Sequence, residues 1–290
     1  MKYTVGSVPY LNAKPLVRMF EDLGEDSPVK VVYDVPSKLP ALLAEGAVQA
    51  IMVSSIEALR SPGKRIAEGV CIGSQREVLS VRLFSKVPVT RIRSLALDQS
   101  SMTSNALARI LLKERYDVVP ETEPRPPNLA EMLDKHDACV LIGDNGMRED
   151  GKGLHILDLG LEWYRLKKLP FVWAVWMGDE GLTPELSKWL VTAELAGHAR
   201  LDSVIADAPH ETGLPQELCE RYLRKIMHYP MQEKELEGLK EFGLLLGEYG
   251  LLDQVHFPAI IAPDFSEEFE LARTVALDAP WIVIRSERRL

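Results

Sequence analysis

Several apolar runs of the chain are followed by polar side chains that could bind a small anion. The first such segment is Ser7-Val8-Pro9-Tyr10-Leu11-Asn12-Ala13-Lys14-Pro15. Tyr10 offers a flat face with a hydroxyl, and Asn12 offers an amide that both donates and accepts. Pro9 and Pro15 stiffen the backbone on either side. The same pattern is typical of a proline-bounded turn in which Asn12 caps the following helix, so the residue types alone leave both interpretations open.

Hydroxyl groups mark the start of two predicted helices. Asp98-Gln99-Ser100-Ser101-Met102-Thr103-Ser104 follows one apolar run, and Val53-Ser54-Ser55 follows another. Backbone N–H groups and the dipole at a helix start favour a carboxylate or a phosphate. One hydroxyl is enough to cap a helix, so the others are either redundant caps or ligands of an anion. Anion-binding helix starts on both halves of the protein would suit a dicarboxylate.

Two further segments place charged side chains beside an apolar run. Gly73-Ser74-Gln75-Arg76-Glu77 puts Arg76 where it could clamp a carboxylate, and Ser80 lies on the strand that follows. An exposed arginine is more often only solvated, and Ser80 could face either a cleft or the interior. Ile142-Gly143-Asp144-Asn145 ends a buried strand. Asp144 could bind a ligand hydroxyl, act as a general base, or cap the loop that follows.

The sequence lacks the motifs that bind nucleotides or activate a serine. It contains no GxGxxG, no GxxxxGK[ST] and no GxSxG. Its three cysteines, Cys71, Cys139 and Cys219, form no CxxC pair, and its six histidines show no metal-ligand spacing. We therefore expect three buried cysteines and chemistry that needs neither a metal nor a cofactor.

Composition excludes some classes of partner. The 290 residues are 46% hydrophobic and 27% charged, which is typical of a globular protein. The formal net charge of -9 argues against nucleic acid or an anionic membrane as a partner, because both require clustered Lys and Arg. The sequence shows no leader-like apolar segment and no run of about 18 apolar residues. We therefore expect a cytoplasmic protein with a small-molecule ligand, and the oligomeric state stays open.

The order of predicted elements favours two α/β units. Residues 3–60 alternate short apolar strands with helical stretches, and residues 94–177 do so again, with a short strand predicted at 117–119. Three long amphipathic helices follow, at 183–207, 215–227 and 231–249, and one further strand is predicted at 281–284. The pattern predicts a two-lobed periplasmic-binding-protein-like fold of the second type, with C-terminal helices. In such a fold the ligand lies between the lobes, at the carboxyl ends of the strands. We expect one lobe at 1–90 plus 178–290, the other at 91–177, and a crossover at 85–93.

The opening segment, VGSVPYLNAKPL at residues 5–16, resembles the chorismate dehydratase family of the futalosine route to menaquinone. The resemblance covers roughly residues 3–250. It continues in Val53-Ser54-Ser55, Ser80-Val81 with Leu83, Asp98-Gln99-Ser100-Ser101 with Thr103-Ser104, Gly143-Asp144, Asp158-Leu159-Gly160 with Trp163, and Leu169-Pro170-Phe171-Val172-Trp173-Ala174. One departure is Lys167-Lys168, where relatives often have Thr-Gly, and it leaves the local backbone there in question.

The resemblance implies a lyase that removes water from chorismate to give 3-[(1-carboxyvinyl)oxy]benzoate. It also implies a base, and Asn12 cannot serve as one. Our hypothesis is that the substrate's own enolpyruvyl carboxylate takes the proton while Asn12 orients the substrate, with Asp144 as the alternative base. The candidate catalytic residues are thus Asn12 and Asp144, and the candidate substrate-binding residues are Ser7, Pro9, Tyr10, Ser54, Ser55, Arg76, Ser80, Ser100, Ser101, Thr103, Ser104 and Gly143.

Two rival functions remain open. One is a 1,4-dihydroxy-6-naphthoate synthase-like enzyme of the same pathway, for which we would expect a histidine base in the cleft. The other is a solute-binding protein without catalysis, for which we would expect a signal peptide or a lipoprotein cysteine. The sequence has no histidine in any of the cleft segments and neither of the export features.

Overall fold

The computed structural model describes residues 2–265, so the predicted strand at 281–284 lies outside the described residues. The strands are β1 (Tyr3–Ser7), β2 (Val29–Tyr33), β3 (Ala50–Ser54), β4 (Arg65–Ser74), β5 (Val81–Ser85), β6 (Ser94–Asp98), β7 (Glu121–Arg125), β8 (Ala138–Ile142), β9 (His155–Asp158), β10 (Phe171–Gly178), β11 (Met227–His228) and β12 (Ala259–Ile261). The helices are α1 (Lys14–Leu23), α2 (Leu39–Ala44), α3 (Ser55–Arg60), α4 (Met102–Tyr116), α5 (Leu129–Lys135), α6 (Gly143–Arg148), α7 (Leu159–Lys167), α8 (Pro184–Ala199), α9 (Leu201–Thr212), α10 (Gln216–Arg221) and α11 (Glu233–Glu248). Three 3-10 turns (Leu11–Ala13, Gly24–Asp26 and Val89–Arg91) and a π-helix (Tyr222–Ile226) lie between them.

Within residues 2–265, the first sheet contains seven strands in the order β11-β4-β10-β3-β1-β2, with β12 beside β4. Strand β1 pairs in parallel with β2 and β3, so the carboxyl ends of these strands lie at one edge. Residues 50–53 of β3 are apolar and fully buried, as expected for a central strand covered on both faces. This edge is where helices α1 and α3 begin.

The second sheet, in the described part of the chain, contains five strands in the order β7-β6-β8-β5-β9. Strand β6 pairs in parallel with β7 and β8. Helices α4 and α6 therefore begin at a common edge, in the same way as α1 and α3 in the first sheet. Strand β11 runs antiparallel to β4 at the end of the first sheet. Each sheet also contains an antiparallel strand between two neighbours, at a corresponding position, β10 in the first and β5 in the second.

These antiparallel strands correct part of the predicted lobe assignment. The limits at 90/91 and 177/178 place β5 with the first sheet and β10 with the second, whereas the structure pairs each strand in the other sheet. The chain changes sheets at residues 75–80 and again at 159–170, and not at 85–93. Both strands are apolar runs, and nothing in their composition indicates which sheet receives them. The division into domains at 90/91 and 177/178 stays a prediction.

Two other local predictions differ from the structure. The single helix predicted at 183–207 is two helices, α8 and α9, because the chain leaves helical geometry at Arg200. A strand lies at Glu121–Arg125 and not at 117–119, since Asp117 adopts a left-handed conformation that ends α4. The three cysteines are buried, as predicted.

The return of the chain to the first sheet is fixed by an aromatic cluster. The Trp163 and Phe171 rings lie 5.2 Å apart, the Phe171 and Phe242 rings lie 5.0 Å apart, and the Trp163 indole donates to the Pro170 carbonyl at 3.1 Å. Lys168, which departs from the family pattern, has a φ of 61° and ends α7 in the left-handed conformation that a glycine adopts easily. The departure therefore leaves the helix end intact.

Candidate active site

The carboxyl ends of four parallel strands meet where the two sheets face each other. Strands β1 and β3 end at one edge, and strands β6 and β8 end at the other. A hydrogen bond joins the two edges directly, since the Ile56 N–H at the start of α3 donates to the Thr103 hydroxyl on α4 at 3.1 Å. The polar segments singled out in the sequence are thereby brought to one interface.

A chain of neutral side chains crosses this interface. The Asn12 amide donates to the Tyr222 hydroxyl at 3.2 Å, and that hydroxyl donates to the Ser80 hydroxyl oxygen at 3.0 Å. The 3-10 turn before α1 and the start of α1 itself have no side-chain cap. Asn12 is therefore not a capping residue, and its amide is free to orient a ligand.

Tyr222 is the functional candidate that the sequence does not reveal. Its side chain is 1% exposed, and burial raises its pKa to about 12, even though its hydrogen bonds with Ser80 and Asn12 act in the opposite direction. The phenol is therefore neutral at physiological pH and acts as a hydrogen-bond bridge. It begins a π-helix, a feature often found at functional sites. That π-helix is the one signal that could have drawn attention to it, and it is visible only in the structure.

Asp144 lies close to this neutral chain. Burial raises the pKa of its carboxyl, and Arg148 offsets part of the effect. Its charge in turn contributes to the raised pKa values of Tyr10 and Tyr222, with burial as the larger cause in both. Both tyrosine hydroxyls therefore lie within the field of the Asp144 carboxylate.

The start of α4 is organised around Asp98. One carboxylate oxygen of Asp98 accepts from the Ser100 N–H at 2.9 Å and from the Ser100 hydroxyl at 2.5 Å, and the other oxygen is buried without a partner among the described residues. Ser101 caps α4 by accepting from the Ser104 N–H at 3.3 Å, and its hydroxyl donates to the Ser104 hydroxyl at 2.8 Å. These hydroxyls already satisfy one another, and the backbone N–H groups of the helix start remain the more available donors.

The start of α3 uses its serines differently from the prediction. Ser55 is buried, and its hydroxyl donates to the Val172 carbonyl in β10. Ser54 occupies the N-cap position but makes no side-chain capping bond. The start of α3 is instead capped by the Thr103 hydroxyl, which lies on α4 beside the other sheet and accepts from the Ile56 N–H. Thr103 and Ser55 thus hold the two edges together in this structure, and Ser54 is the hydroxyl left to meet a ligand.

The remaining candidates are spread around the interface. Ser7 is buried at the end of β1, and its hydroxyl has no partner among residues 2–265. Pro9 and Tyr10 are exposed, Tyr10 by 44%. Arg76 is exposed, and its guanidinium lies over the Tyr164 ring at 4.6 Å. Gly143 begins α6 with a φ of 59° and open space where a side chain would be.

The described part of the chain offers no arrangement of metal ligands. No three His, Cys, Asp or Glu side chains within residues 2–265 could jointly hold an ion. No helix in the same range is long and apolar enough to cross a membrane. No hydrogen bond in that range joins a histidine to Asn12, Ser80 or Tyr222. The interface can therefore orient a small polar molecule through amide, hydroxyl and backbone N–H groups.

Residues 3–247 match a protein family described as menaquinone biosynthesis. The chain belongs to this family. This member of the family is 29% identical to a chorismate dehydratase of Thermus thermophilus over 84% of its own length and 95% of that protein. It is 30% identical to a chorismate dehydratase of Campylobacter jejuni over 58% of its own length and 64% of that protein.

Solved structures bear on the fold of this family member. The periplasmic aliphatic sulphonate binding protein of Escherichia coli superposes with a TM-score of 0.62 at 15% identity, over 91% of this chain and 95% of that one. The predicted two-lobed periplasmic-binding-protein-like fold is thereby confirmed.

Proposed function

We propose that this chain is a chorismate dehydratase, a hydro-lyase that converts chorismate to 3-[(1-carboxyvinyl)oxy]benzoate in the futalosine route to menaquinone. Membership of the menaquinone-biosynthesis family supports the proposal. So does the likeness to the Thermus thermophilus chorismate dehydratase, which extends over 84% of this chain and 95% of that protein.

One structural observation carries the chemical argument. Asn12, the polar residue of the opening segment, does not cap its helix but is held by a buried neutral tyrosine. An amide held in this way cannot remove a proton, yet it can fix the position of a substrate. A reaction in which the substrate itself supplies most of the driving force fits such a site.

Chorismate meets that description. The proton on C3 is acidic because the ring carboxylate is conjugated to the position it occupies. Removing this proton and expelling the C4 hydroxyl leaves an aromatic ring, and the proton and the hydroxide together make the water that is released. The enolpyruvyl carboxylate, attached through oxygen at C3, takes the proton. Asn12 holds that carboxylate against C3, so most of the rate enhancement comes from positioning.

Asp144 is the protein-borne alternative to the substrate carboxylate. Its raised pKa and its place near Tyr222 suit a general base. The same carboxylate could instead accept a hydrogen bond from the C4 hydroxyl and orient the leaving group. The Asp144→Asn variant distinguishes the two roles. The asparagine carbonyl can still accept a hydrogen bond from the C4 hydroxyl, but an amide cannot act as a general base.

The two substrate carboxylates need donors, and three helix starts provide them. Helices α3, α4 and α6 begin at the interface, where first-turn N–H groups have no acceptor within their own helix and the helix dipoles favour anions. The Ile56 and Ser104 N–H groups are already used, by Thr103 and Ser101. Ser54 can add its hydroxyl at α3, and Gly143 leaves open space at the start of α6. A dianion bound between the sheets would contact both edges at once.

The proposal is tested by incubating the purified protein with chorismate and following the mixture by liquid chromatography and mass spectrometry. We expect catalytic formation of an aromatic product lighter than chorismate by one water, at a rate about hundredfold or more lower in Asn12→Ala. Tyr229→Phe is the control, because the Tyr229 hydroxyl is buried and makes no hydrogen bond among the described residues.

A second candidate function follows from the fold. The solved structures that superpose well include periplasmic binding proteins, which bind without reacting. Tight chorismate binding with no product would favour a binding protein and refute the dehydratase. A protein that neither binds nor converts chorismate would refute both candidate functions.

A further inference from the structure

We propose that Asp158 is a positioning residue of this site, which shapes the turn at Val78–Ser80 so that the Ser80 hydroxyl meets Tyr222. The inference deepens the proposed function and rests on it for its catalytic consequence. Asp158 itself lies at the end of β9 and makes no hydrogen bond to Asn12 or Tyr222.

The carboxylate of Asp158 receives four backbone hydrogen bonds. The Val78 N–H reaches both of its oxygens, at 3.0 and 3.1 Å, and the Leu79 N–H donates at 2.7 Å. The Leu161 N–H donates at 3.0 Å, so Asp158 also caps α7. One side chain therefore ties the outgoing crossover, residues 75–80, to the start of the returning one. Burial raises the pKa of Asp158 in spite of these bonds.

The turn held by Asp158 has an uncommon backbone. Leu79 has a φ of 63°, and the Ser80 N–H donates to the Val78 carbonyl at 2.7 Å, which closes a γ-turn around Leu79. A γ-turn with positive φ at its centre is rare and strained, and leucine gains nothing from it. An outside group must therefore hold the turn, and the Asp158 carboxylate does so by accepting from two of its N–H groups.

Gly160 brings α7 close enough for these bonds to form. A Cβ at this position would lie 2.5 Å from the Arg76 carbonyl oxygen and 3.0 Å from the Ser74 hydroxyl oxygen. Any larger residue would push α7 away from the crossover. Asp158 thus acts on residues 75–80 as a hydrogen-bond acceptor, and Gly160 acts on the same segment by allowing close approach.

The consequence reaches Asn12 through a short path. The turn sets the direction of the Ser80 side chain, which accepts from Tyr222 at 3.0 Å, and Tyr222 accepts from Asn12 at 3.2 Å. Without the carboxylate, the turn would relax toward negative φ and Ser80 would leave Tyr222. Asn12 would then lose its orientation, although nothing in contact with the substrate had been removed.

The first test compares Asp158→Asn with Asn128→Ala. Asparagine still caps α7 well but puts an NH2 group where an oxygen now accepts from Val78 and Leu79. Asn128 caps α5 by accepting from the Glu131 N–H, far along the chain from the site, so its loss reports on capping alone. We expect kcat on chorismate to fall about tenfold or more in Asp158→Asn with little change in KM, and to stay at the wild-type value in Asn128→Ala.

A second pair of variants tests the turn without altering Asp158. Leu79→Gly favours positive φ and Leu79→Val opposes it. We expect Leu79→Val to lower kcat as Asp158→Asn does, and Leu79→Gly to restore most of the loss when combined with Asp158→Asn. A double variant no better than Asp158→Asn would contradict the proposal, since a residue that acted only by capping α7 would give that result.

Hydrogen exchange provides a readout that needs no substrate. We expect the amides of residues 76–80 to exchange at least about fivefold faster in Asp158→Asn, and those of α5 to be unchanged. Unchanged exchange at 76–80, or faster exchange with wild-type kcat, would overturn the proposal. A wild-type protein that leaves chorismate intact would instead refute the proposed function, and the exchange result would still decide whether Asp158 holds the turn.

Discussion

The Tyr222 hydroxyl is shared by two residues that belong to different parts of the chain. It accepts from Asn12 and donates to Ser80, so both of its hydrogen-bonding functions are used within the protein. Among residues 2–265, the carbonyl oxygen of Asn12 and its second N–H make no hydrogen bond, and both can turn to a ligand. The neutral phenol therefore fixes the amide without competing for the substrate.

Replacing Tyr222 with phenylalanine removes this bridge and leaves the aromatic ring in place. We expect kcat on chorismate to fall about 10- to 100-fold and stability to fall by about 1–3 kcal/mol, because Asn12 and Ser80 lose a buried partner. Steady-state kinetics and urea unfolding measure the two effects. Tyr229→Phe is the matched control, because it removes a buried hydroxyl that has no partner among residues 2–265, and it should be neutral or stabilising. Equal losses in the two variants would contradict this account.

Asp144→Asn should change stability in a pH-dependent way. Burial raises the folded-state pKa of Asp144 above its unfolded value, so the folded protein holds the proton more tightly. The ionised group therefore costs stability above that pKa, and the cost disappears as the pH falls through it. We expect Asp144→Asn to melt at a higher temperature than wild type at pH 7, with a difference that shrinks toward pH 4. A difference that instead grows on acidification would show that Asp144 is stabilised as a carboxylate.

The sequence predicted which segments form the site but not how their side chains are used. Asn12 stood out because of its short, specific motif. Tyr222 could not, because it contacts Asn12 from 210 residues away and lies in an ordinary amphipathic pattern. Thr103 and Ser55 were predicted to bind substrate, and the structure engages both within the protein. A hydroxyl at a helix start gives the same sequence pattern whether it binds a ligand or contacts another part of the fold.

Helix α1, which follows Asn12, is held in place by close packing against α8. A Cβ on Gly197 of α8 would lie 1.7 Å from the Pro15 carbonyl oxygen at the start of α1. Backbone cannot yield at such a distance, so the two helices must separate if the glycine is replaced. The position of the opening segment thus depends on a residue that has no chemistry of its own.

Gly197→Ala should destabilise the protein by about 1–3 kcal/mol or more through overpacking, and should lower activity as α1 shifts. Gly247→Ala in α11 is the control, because a Cβ there would lie 3.4 Å from Val255, an ordinary contact. That variant should gain up to about 1 kcal/mol from helix propensity. Thermal unfolding of both proteins measures the contrast, and a stable Gly197→Ala would show that the close contact is absent in solution.

The hydrophobic periodicity predicted most helices and strands correctly, but it did not predict which strands pair. The alternation of strands and helices predicted two α/β units, and the structure contains them. Strands β5 and β10 were assigned to the wrong sheets because pairing depends on where a crossover lands, which residues 75–80 do not show in their composition. The break in the long C-terminal helix at Arg200 lies in a stretch without proline or a helix-ending glycine, so the pattern continued where the helix did not.

The whole molecule carries a formal net charge of -9, which a dianionic substrate must approach. Asp98 and Asp144 at the interface add local negative charge. The attraction needed for binding therefore comes from helix starts and hydroxyls at short range, while the long-range field is repulsive.

Added salt should consequently improve the encounter with chorismate. The Debye length shortens to about 10 Å at 0.1 M salt, which screens the distant repulsion and leaves the contacts within the cleft. We expect KM to fall about two- to threefold between low salt and 0.15 M salt. Two salts with different anions at equal ionic strength control for anion competition. A KM that rises equally in both would indicate net attraction by clustered cations.

The fold and the family could be inferred from the sequence because both depend on patterns that extend over most of the chain. The geometry of the site could not, because it arises where two sheets meet. The Ile56–Thr103 bond and the Asn12–Tyr222–Ser80 chain each join segments that lie far apart in sequence. Their side chains meet only once both sheets have formed.

The most direct test of the account is the rate of water loss from chorismate by wild type and by Asn12→Ala, measured under saturating substrate. The account predicts steady formation of the dehydrated aromatic product by wild type, and a loss of about hundredfold or more in Asn12→Ala with the fold intact. Wild-type turnover in Asn12→Ala, or a wild-type protein that binds chorismate and returns it unchanged, would contradict it.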